Sequence, residues 1–135
     1  MLYTDATNLD IHVMKLDQNR MIVWDSKLAN VNTTKGVQLT ESANGDYLLG
    51  INGSGIQNAD VILSRVNATG QVIQMKTFGS PQSDPYAYGA EEIAGMVETK
   101  NGDIFVYGSN TLKNNNVYSN QRNWVAKLDS SFTMK

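Results

Sequence analysis

The sequence contains no cysteine, one histidine and only two prolines. The absence of cysteine excludes disulfide bonds, thiolate metal sites and cysteine nucleophiles. The single histidine, His12, lies between Ile11 and Val13 in an alternating segment. A lone imidazole cannot build a zinc site of the usual kind, so we interpret His12 as a residue at a strand surface. We therefore expect no metal ion and no other cofactor.

Clustered basic residues and long hydrophobic runs are also missing. The net charge is −2, and no segment concentrates Lys and Arg, so a nucleic acid partner is not expected. No stretch approaches the roughly 18–20 consecutive apolar residues that span a bilayer, which predicts no membrane insertion. The opening segment MLYTDATNLDIHV lacks the basic region and apolar core of a secretory signal.

Turn-forming residues are abundant instead. The chain has fifteen asparagines, and asparagine tolerates left-handed backbone and hydrogen-bonds its own chain in turns. Apolar residues make up 41% of the sequence and charged residues 18%, which is typical of a globular domain. No run of ten or more residues shows a clean helical period. The sequence predicts an all-β fold.

Two families of internal repeats run through the chain. In the first, an alternating segment ends in a basic residue, an aliphatic residue and then Asp or Asn, as in IHVMKLD, VILSRVN and NWVAKLD. In the second, Asn-Gly-Asp precedes an apolar run in SANGDYLLG (42–50) and ETKNGDIFVYG (98–108). Repeats of this kind indicate one supersecondary unit used several times.

The middle repeat divides into four short strands, A to D, with sequences GVQLTES, DYLLGIN, ADVILSRV and QVIQMKTF. Asn44-Gly45 predicts an A–B hairpin with a type I′ turn, in which both central residues have positive φ. The same order predicts a partial blade at 1–35 with the end of strand B and strands C and D. A complete blade follows at 36–79, and a third blade at 80–135 has a truncated last strand. All three are predicted to form one domain.

Four antiparallel strands per repeat are typical of β-propeller blades, and kelch repeats run near 50 residues. The KLD turn, Trp24 on the next strand and ETKNGDIFVYG resemble the blade repeats of bacterial cell-surface and secreted β-propellers, which are kelch-like or PQQ-like. The resemblance implies about two and a half four-stranded blades. Arg20 and Phe132 depart from it where glycine is usual, as does Gln74 where a counterpart of Trp24 is expected. A small open β-sandwich is the alternative fold.

Two and a half blades cannot close a ring, because closed propellers typically have four or more. The expected partner is therefore either the rest of a larger propeller or further copies of this chain. Joining one C-terminus to the next N-terminus would duplicate strands, which favours the fragment.

Two segments concentrate the candidate ligand-binding residues. The connection GSPQSDPYAYGAEE (79–92) carries Asp84, Tyr86, Tyr88 and Glu92, and SNTLKNNNVYSNQRN (109–123), predicted to be a loop, carries Tyr118 and Arg122. Long loops on a rigid scaffold are where binding residues concentrate. Amide, aromatic and guanidinium groups suit a protein or glycan partner.

Other recurring polar residues are interpreted structurally. Asp17, Asn67 and Asp129 are expected to form Asx-turns rather than calcium loops. Glu41 and Glu98 stand before the two Asn-Gly hairpins and are expected to be solvated turn residues. The two tryptophans, Trp24 and Trp124, are expected to pack between blades.

The leading functional hypothesis is a non-enzymatic binding module, because no nucleophile, phosphate-binding or metalloprotease motif occurs. The resemblance places it in a secreted or surface-attached bacterial protein. Two alternatives are kept: a ring-forming, lectin-like carbohydrate-binding propeller, and a fragment of a propeller hydrolase or lyase.

Overall fold

The computed structural model describes residues 2–4, 11–28, 37–52, 61–78, 91–114 and 117–135, with backbone only at 2–4, 111–114 and 117–121. These ranges contain ten β-strands and no helix. Among them, therefore, no helical segment could cross a membrane. The predicted all-β fold is confirmed.

The strands form three antiparallel sheets in chain order. The first sheet contains β1 (Leu2–Thr4), β2 (Ile11–Leu16) and β3 (Ile22–Leu28). The second contains β4 (Val37–Glu41), β5 (Tyr47–Asn52), β6 (Val61–Val66) and β7 (Val72–Phe78). The third contains β8 (Glu91–Glu98), β9 (Ile104–Asn114) and β10 (Val117–Leu128).

Each of the three sheets contains a different set of the predicted strands A to D. The second sheet has all four, the first has B, C and D, and the third has A, B and C. An isolated bridge between Leu128 and Met134 stands where the fourth strand of the third sheet would begin. The division at 1–35, 36–79 and 80–135 stays a prediction.

Five hairpin turns share one hydrogen-bonding pattern. Each begins at a residue whose N–H donates to the carbonyl four positions on, and whose carbonyl accepts from the N–H three positions on. The fourth residue of each turn has positive φ; these residues are Arg20, Gly45, Gly70, Gly102 and Phe132. The predicted type I′ geometry is therefore wrong, since only Gly45 and not Asn44 has positive φ. A three-residue loop with a single left-handed residue explains the pattern.

The Asx-turn interpretation is confirmed at all three C–D turns. The Oδ1 of Asp17 accepts from the N–H groups of Asn19 and Met21, both at 2.8 Å. Asn67 and Asp129 accept from the equivalent backbone groups two and four residues on, at 2.8 to 3.1 Å. Local side-chain caps thus define the turn even where Arg20 or Phe132 replaces glycine.

The predicted loop at 109–123 is wrong for most of its length. Strand β9 continues to Asn114 and β10 starts at Val117, and their backbones pair from Val117–Asn114 to Leu128–Ile104 with one irregularity between Ser119 and Gln121. The polar composition of the segment suggested a loop. Backbone pairing does not require apolar side chains, and residues such as Thr111 and Tyr118 favour strands.

The core consists of two clusters, one on each face of the second sheet. Leu49, Ile51 and Ile62 pack with Ile11 and other residues of the first sheet. On the opposite face, the second sheet's residues Leu48, Val61 and Leu63 pack against the third sheet, which contributes Ile93, Ile104, Val106, Leu128 and Phe132. All residues of β6 are buried. Since successive side chains of a strand point to opposite faces, both faces of the sheet are covered at this strand. The second sheet is therefore stacked between the other two.

Candidate functional site

The first and second sheets each contact the next sheet through a basic residue on strand C, which is β2 in the first sheet and β6 in the second. The Nζ of Lys15 lies 5.5 Å from the ring centroid of Tyr47 in the second sheet. The Tyr47 side chain is the main cause of a raised pKa at Lys15, and Glu41 adds to the effect. Lys15, Arg65 and Lys127 occupy the same position before their C–D turns. The Lys15 contact is therefore one copy of a recurring arrangement.

The second copy is a nearly buried ion pair between Arg65 and Glu98. Their nitrogen and oxygen lie 2.8 Å apart, with side chains 8% and 11% exposed. Arg65 also donates to Ser42 at 3.3 Å and lies 3.6 Å from Asp46. The prediction of a solvated Glu98 is wrong, because the stacking of the third sheet on the second encloses it. Glu41, at the equivalent position, is exposed as predicted.

A second recurring contact joins strand D of one sheet, β3 in the first and β7 in the second, to the C–D turn of the next. Ser26 donates to the carbonyl of Gly70, and Lys76 donates to the carbonyl of Phe132 at 2.9 Å. Both acceptors are the left-handed residues of their turns. The two donors occupy equivalent positions, because each lies five residues after the last residue of the C–D turn that precedes its own strand. The same geometry thus relates the first sheet to the second and the second to the third.

On the third sheet the corresponding face is not covered in the described part of the chain. We call this the outer face and define it by Val97, Phe105, Tyr107 and Val125. Val97, Tyr107 and Val125 are 52%, 50% and 73% exposed. Lys127 stands beside them and pairs with Asp103 of its own sheet at 2.8 Å. The outer face is apolar, with one basic side chain in the position that Arg65 uses between sheets.

A pocket of about 480 Å³ lies between the second and third sheets. Its wall is mainly apolar; its lining includes Val61, Leu63, Phe78, Val106, Trp124 and Leu128. Gly108 makes room for the tryptophan, since a Cβ there would lie 2.9 Å from the indole Cζ2 and collide with the Glu92 carbonyl. The expectation that Trp124 packs between sheets is confirmed.

Polar residues stand in register at one end of this pocket. Asn110 pairs with Arg122 on β10 and with Glu91 on β8. All three belong to the strand positions that face the second sheet, as Trp124 does. Two buried atoms of this region, Asn110 Oδ1 and Trp124 Nε1, have no hydrogen-bond partner in the structure as described. Asn110 and Trp124 both line the pocket, while these two atoms are themselves shielded from solvent.

Of the candidate residues predicted from sequence, the structure describes the side chains of Arg122 and Glu92, which lie on opposite faces of the third sheet. Arg122 is exposed on β10, in register with Asn110. Glu92 lies on β8 opposite Ser109, at strand positions of the other face. Tyr118 lies on β10, where only the backbone is described, and Asp84, Tyr86 and Tyr88 lie outside the described residues. Sequence reasoning missed Asn110, whose position on a strand was concealed by the polar composition around it.

His12 and Trp24 lie away from this pocket. The Nδ1 of His12 is 3.1 Å from Asp25 Oδ1, so a carboxylate does orient the only imidazole. Trp24 packs between sheets as predicted: its indole Nε1 donates to the carbonyl of Ala68 at 3.1 Å. Within the residues described, no group of three metal-ligating side chains occurs.

No protein-family model matches the chain, and no curated protein sequence matches it.

Proposed function

We propose that the chain is a non-enzymatic binding module, a run of β-propeller blades in a secreted or surface-attached bacterial protein, which presents its loops to a protein or glycan. The observation that carries the proposal is the repetition of the sheet-to-sheet contact. A contact that recurs at equivalent positions and in the same direction belongs to a repeat architecture, in which each unit buries its apolar face against its neighbours.

The outer face of the third sheet is equivalent to the face of the second sheet that the third sheet covers. Phe105 and Val125 occupy the positions that Leu48 and Leu63 occupy in the second sheet, judged by strand register. Leu48 and Leu63 are 1% and 2% exposed because the third sheet covers them. We propose that the outer face is covered by a further sheet of the same repeat in the assembled protein.

Charge complementarity specifies the chemistry of that further sheet. Arg65 meets Glu98 at the end of the next sheet's first strand, and Lys15 lies near Glu41 at the equivalent end. Lys127 holds the same position on the third sheet. A carboxylate at the end of the incoming first strand completes the pattern.

An extended chain tests this proposal. Lys135 is equivalent to Ile73, so a copy of residues 74–135 fused after Lys135 supplies the missing fourth strand and one more sheet with its own counterpart of Glu98. We expect a higher unfolding midpoint and slower hydrogen exchange in β9 and β10. Lys127→Met should lower stability in the extended chain by roughly 2–3 kcal/mol more than in the original chain.

A matched control replaces the added counterpart of Glu98 by Gln. The effect of Lys127→Met should then shrink, because the ion pair is already absent. An extension that leaves β9 and β10 unprotected, or a Lys127→Met effect that is equal in both chains, would overturn the stacking proposal.

A carbohydrate-binding role is the second candidate, and one observation favours it. Trp124 and Phe78 line a pocket between two sheets, with Asn110 beside them. Aromatic rings with a few polar groups are typical of small-molecule sites.

A further inference from the structure

Three asparagines of this chain are followed directly by glycine: Asn44, Asn52 and Asn101. Asparagine is among the chemically labile residues, and an Asn-Gly pair is its most reactive setting, because the backbone nitrogen of the glycine can attack the side-chain amide carbon of the asparagine. Glycine has no side chain to hinder this approach. Whether a given pair reacts in the folded protein therefore depends on what holds the asparagine amide.

Two of these pairs stand in nearly identical turns. Gly45 and Gly102 have φ of 83° and 79°, and the N–H of each donates to the carbonyl three residues earlier at 2.9 Å. A Cβ added at either glycine would meet no atom within 4 Å. Asn44 and Asn101 are both exposed, so solvent reaches both turns. Backbone geometry and exposure thus do not distinguish the two sites.

Side-chain hydrogen bonds do distinguish them. The Nδ2 of Asn44 donates to Asp46 Oδ2 at 2.9 Å, and its Oδ1 accepts from the Asp46 N–H at 3.1 Å. The Asn101 side chain makes no hydrogen bond with any residue that the structure describes. The counterpart of Asp46 at this turn is Asp103, and its carboxylate is bonded to two lysines instead, Lys127 at 2.8 Å and Lys135.

The third pair is closed to the reaction in another way. Asn52 is 8% exposed. Its Oδ1 accepts from the N–H of Ile93 at 2.7 Å, and its Nδ2 donates to the Ile93 carbonyl at 3.4 Å. Both polar atoms of this amide are bonded across the junction of the second and third sheets. Reaction at Asn52 therefore requires these two sheets to separate locally.

We propose that Asn101 is a site of spontaneous deamidation and that the fold protects Asn44 and Asn52. The Gly102 nitrogen attacks Asn101 Cγ, so a new C–N bond closes a succinimide ring. The bond from Cγ to Nδ2 breaks, and Nδ2 leaves as ammonia with the proton of the Gly102 N–H. Water then opens the ring at one of its two carbonyls, which gives aspartate or isoaspartate. The proposal does not rest on the proposed assembly, because all three asparagines belong to this chain.

The product alters the turn between β8 and β9. Either product places a carboxylate two residues before Asp103. Isoaspartate also adds a methylene to the backbone of a turn that the Thr99 N–H closes by donating to the Asp103 carbonyl at 2.8 Å. We therefore expect the deamidated chain to unfold more readily than the original chain.

Timed incubation of the full chain in mildly alkaline buffer, followed by proteolysis and mass spectrometry of the peptides, tests the proposal. We expect Asn101 to react about tenfold faster than Asn44, a factor that hydrogen bonds of ordinary strength supply. Asn52 should also react more slowly than Asn101. The same measurement in concentrated guanidinium chloride is the control, because the three rates should converge once the fold is removed.

A matched pair of variants tests the cause. Asp46→Ala removes the acceptor of the Asn44 amide and should speed deamidation of Asn44 several-fold. Asp103→Ala removes a carboxylate that Asn101 does not contact and should leave the Asn101 rate unchanged. Asn52 reports on folding in each variant, since it stays slow while the sheets remain stacked.

Three results would overturn the proposal. One is an Asn44 that reacts as fast as Asn101 in the folded chain. Another is a difference between these two rates that persists in the unfolded chain, which would assign it to the neighbouring sequence. The third is an Asn44 rate that Asp46→Ala leaves unchanged.

Discussion

Arg65 of the second sheet and Glu98 of the third form an ion pair at 2.8 Å, with each side chain close to nine-tenths buried. Their counterparts Lys15 and Glu41 stand at the junction of the first and second sheets, where Glu41 is exposed. The same repeat position is thus nearly buried at one junction and open at the other.

This difference predicts unequal effects of removing the basic residue. Arg65→Met leaves the Glu98 carboxylate nearly buried without its partner, so we expect a loss of about 3 kcal/mol. Lys15→Met should cost much less, because exposed charge pairs are screened by solvent. Urea denaturation of both variants measures the difference. Adding Glu98→Gln to Arg65→Met should recover part of the loss, and no recovery would show that the guanidinium acts through packing alone.

Replacing two of the left-handed turn residues by glycine should change stability in opposite directions. Arg20 and Phe132 have φ of 65° and 59°, which is unfavourable for arginine and phenylalanine and costs glycine nothing. Arg20 is exposed, so Arg20→Gly should raise stability by roughly 0.5–1 kcal/mol. Phe132 is 1% exposed within the second core cluster. Phe132→Gly should therefore lower stability by about 3–5 kcal/mol despite relieving the backbone.

Thermal unfolding of the two glycine variants checks this pair. Shifts of the same sign would contradict the separation of turn strain from core packing.

Asn52 and Asn110 predict another contrast. Asn52→Ala leaves the buried N–H of Ile93 without its 2.7 Å acceptor, and we expect a loss of about 2 kcal/mol. Asn110→Ala removes an oxygen that bonds nothing described, so we expect no loss beyond about 0.5 kcal/mol. Chemical denaturation in the absence of ligand compares them. A large loss on Asn110→Ala would contradict this and indicate that the amide is hydrogen-bonded within the chain.

Two carboxylates predict the response to acid. Hydrogen bonds from Lys127 and then Lys135 lower the pKa of Asp103 below its ordinary value of 3.8. Hydrogen bonds from the Ser131 hydroxyl and the Thr133 backbone lower that of Asp129. A pKa depressed by folding contributes stability above about pH 4 that is lost as the pH falls below it. The midpoint of unfolding should therefore fall as the pH is lowered from neutral to about 2.

Asp103→Asn should flatten this acid dependence, because one of the two shifted groups is gone. Asp129→Asn should flatten it as well while keeping the turn, since Asn67 forms the same caps with an amide oxygen. Identical pH profiles in the wild type and both variants would contradict the assignment.

Much of the local structure could be predicted from the sequence. Alternation located the strands of the second sheet, and Asp17, Asn67 and Asp129 marked three turns because a side-chain cap acts within four residues. The Asn-Gly hairpins were also predictable, although their geometry was not. The presence of one or two left-handed residues depends on how the paired strands twist, which the dipeptide alone does not specify.

Other features depended on contacts between distant segments. The polar segment at 109–123 extends two strands because each supplies the other's backbone partners, a property that side-chain composition conceals. Glu98 looks like any solvated carboxylate until the third sheet covers it beside Arg65. Asn52 and Asn110 are similar residues near the ends of second strands, yet one is doubly bonded and the other borders a pocket.

The sequence by itself determined where this chain turns and which residues alternate along its strands, because capping, left-handed backbone and pleating act over a few residues. Only the tertiary structure decided which face of each sheet is covered, which charges are buried and which buried polar atoms of the described residues remain unpaired. Those outcomes depend on how one sheet is seated on the next, and they arise from residues more than thirty positions apart.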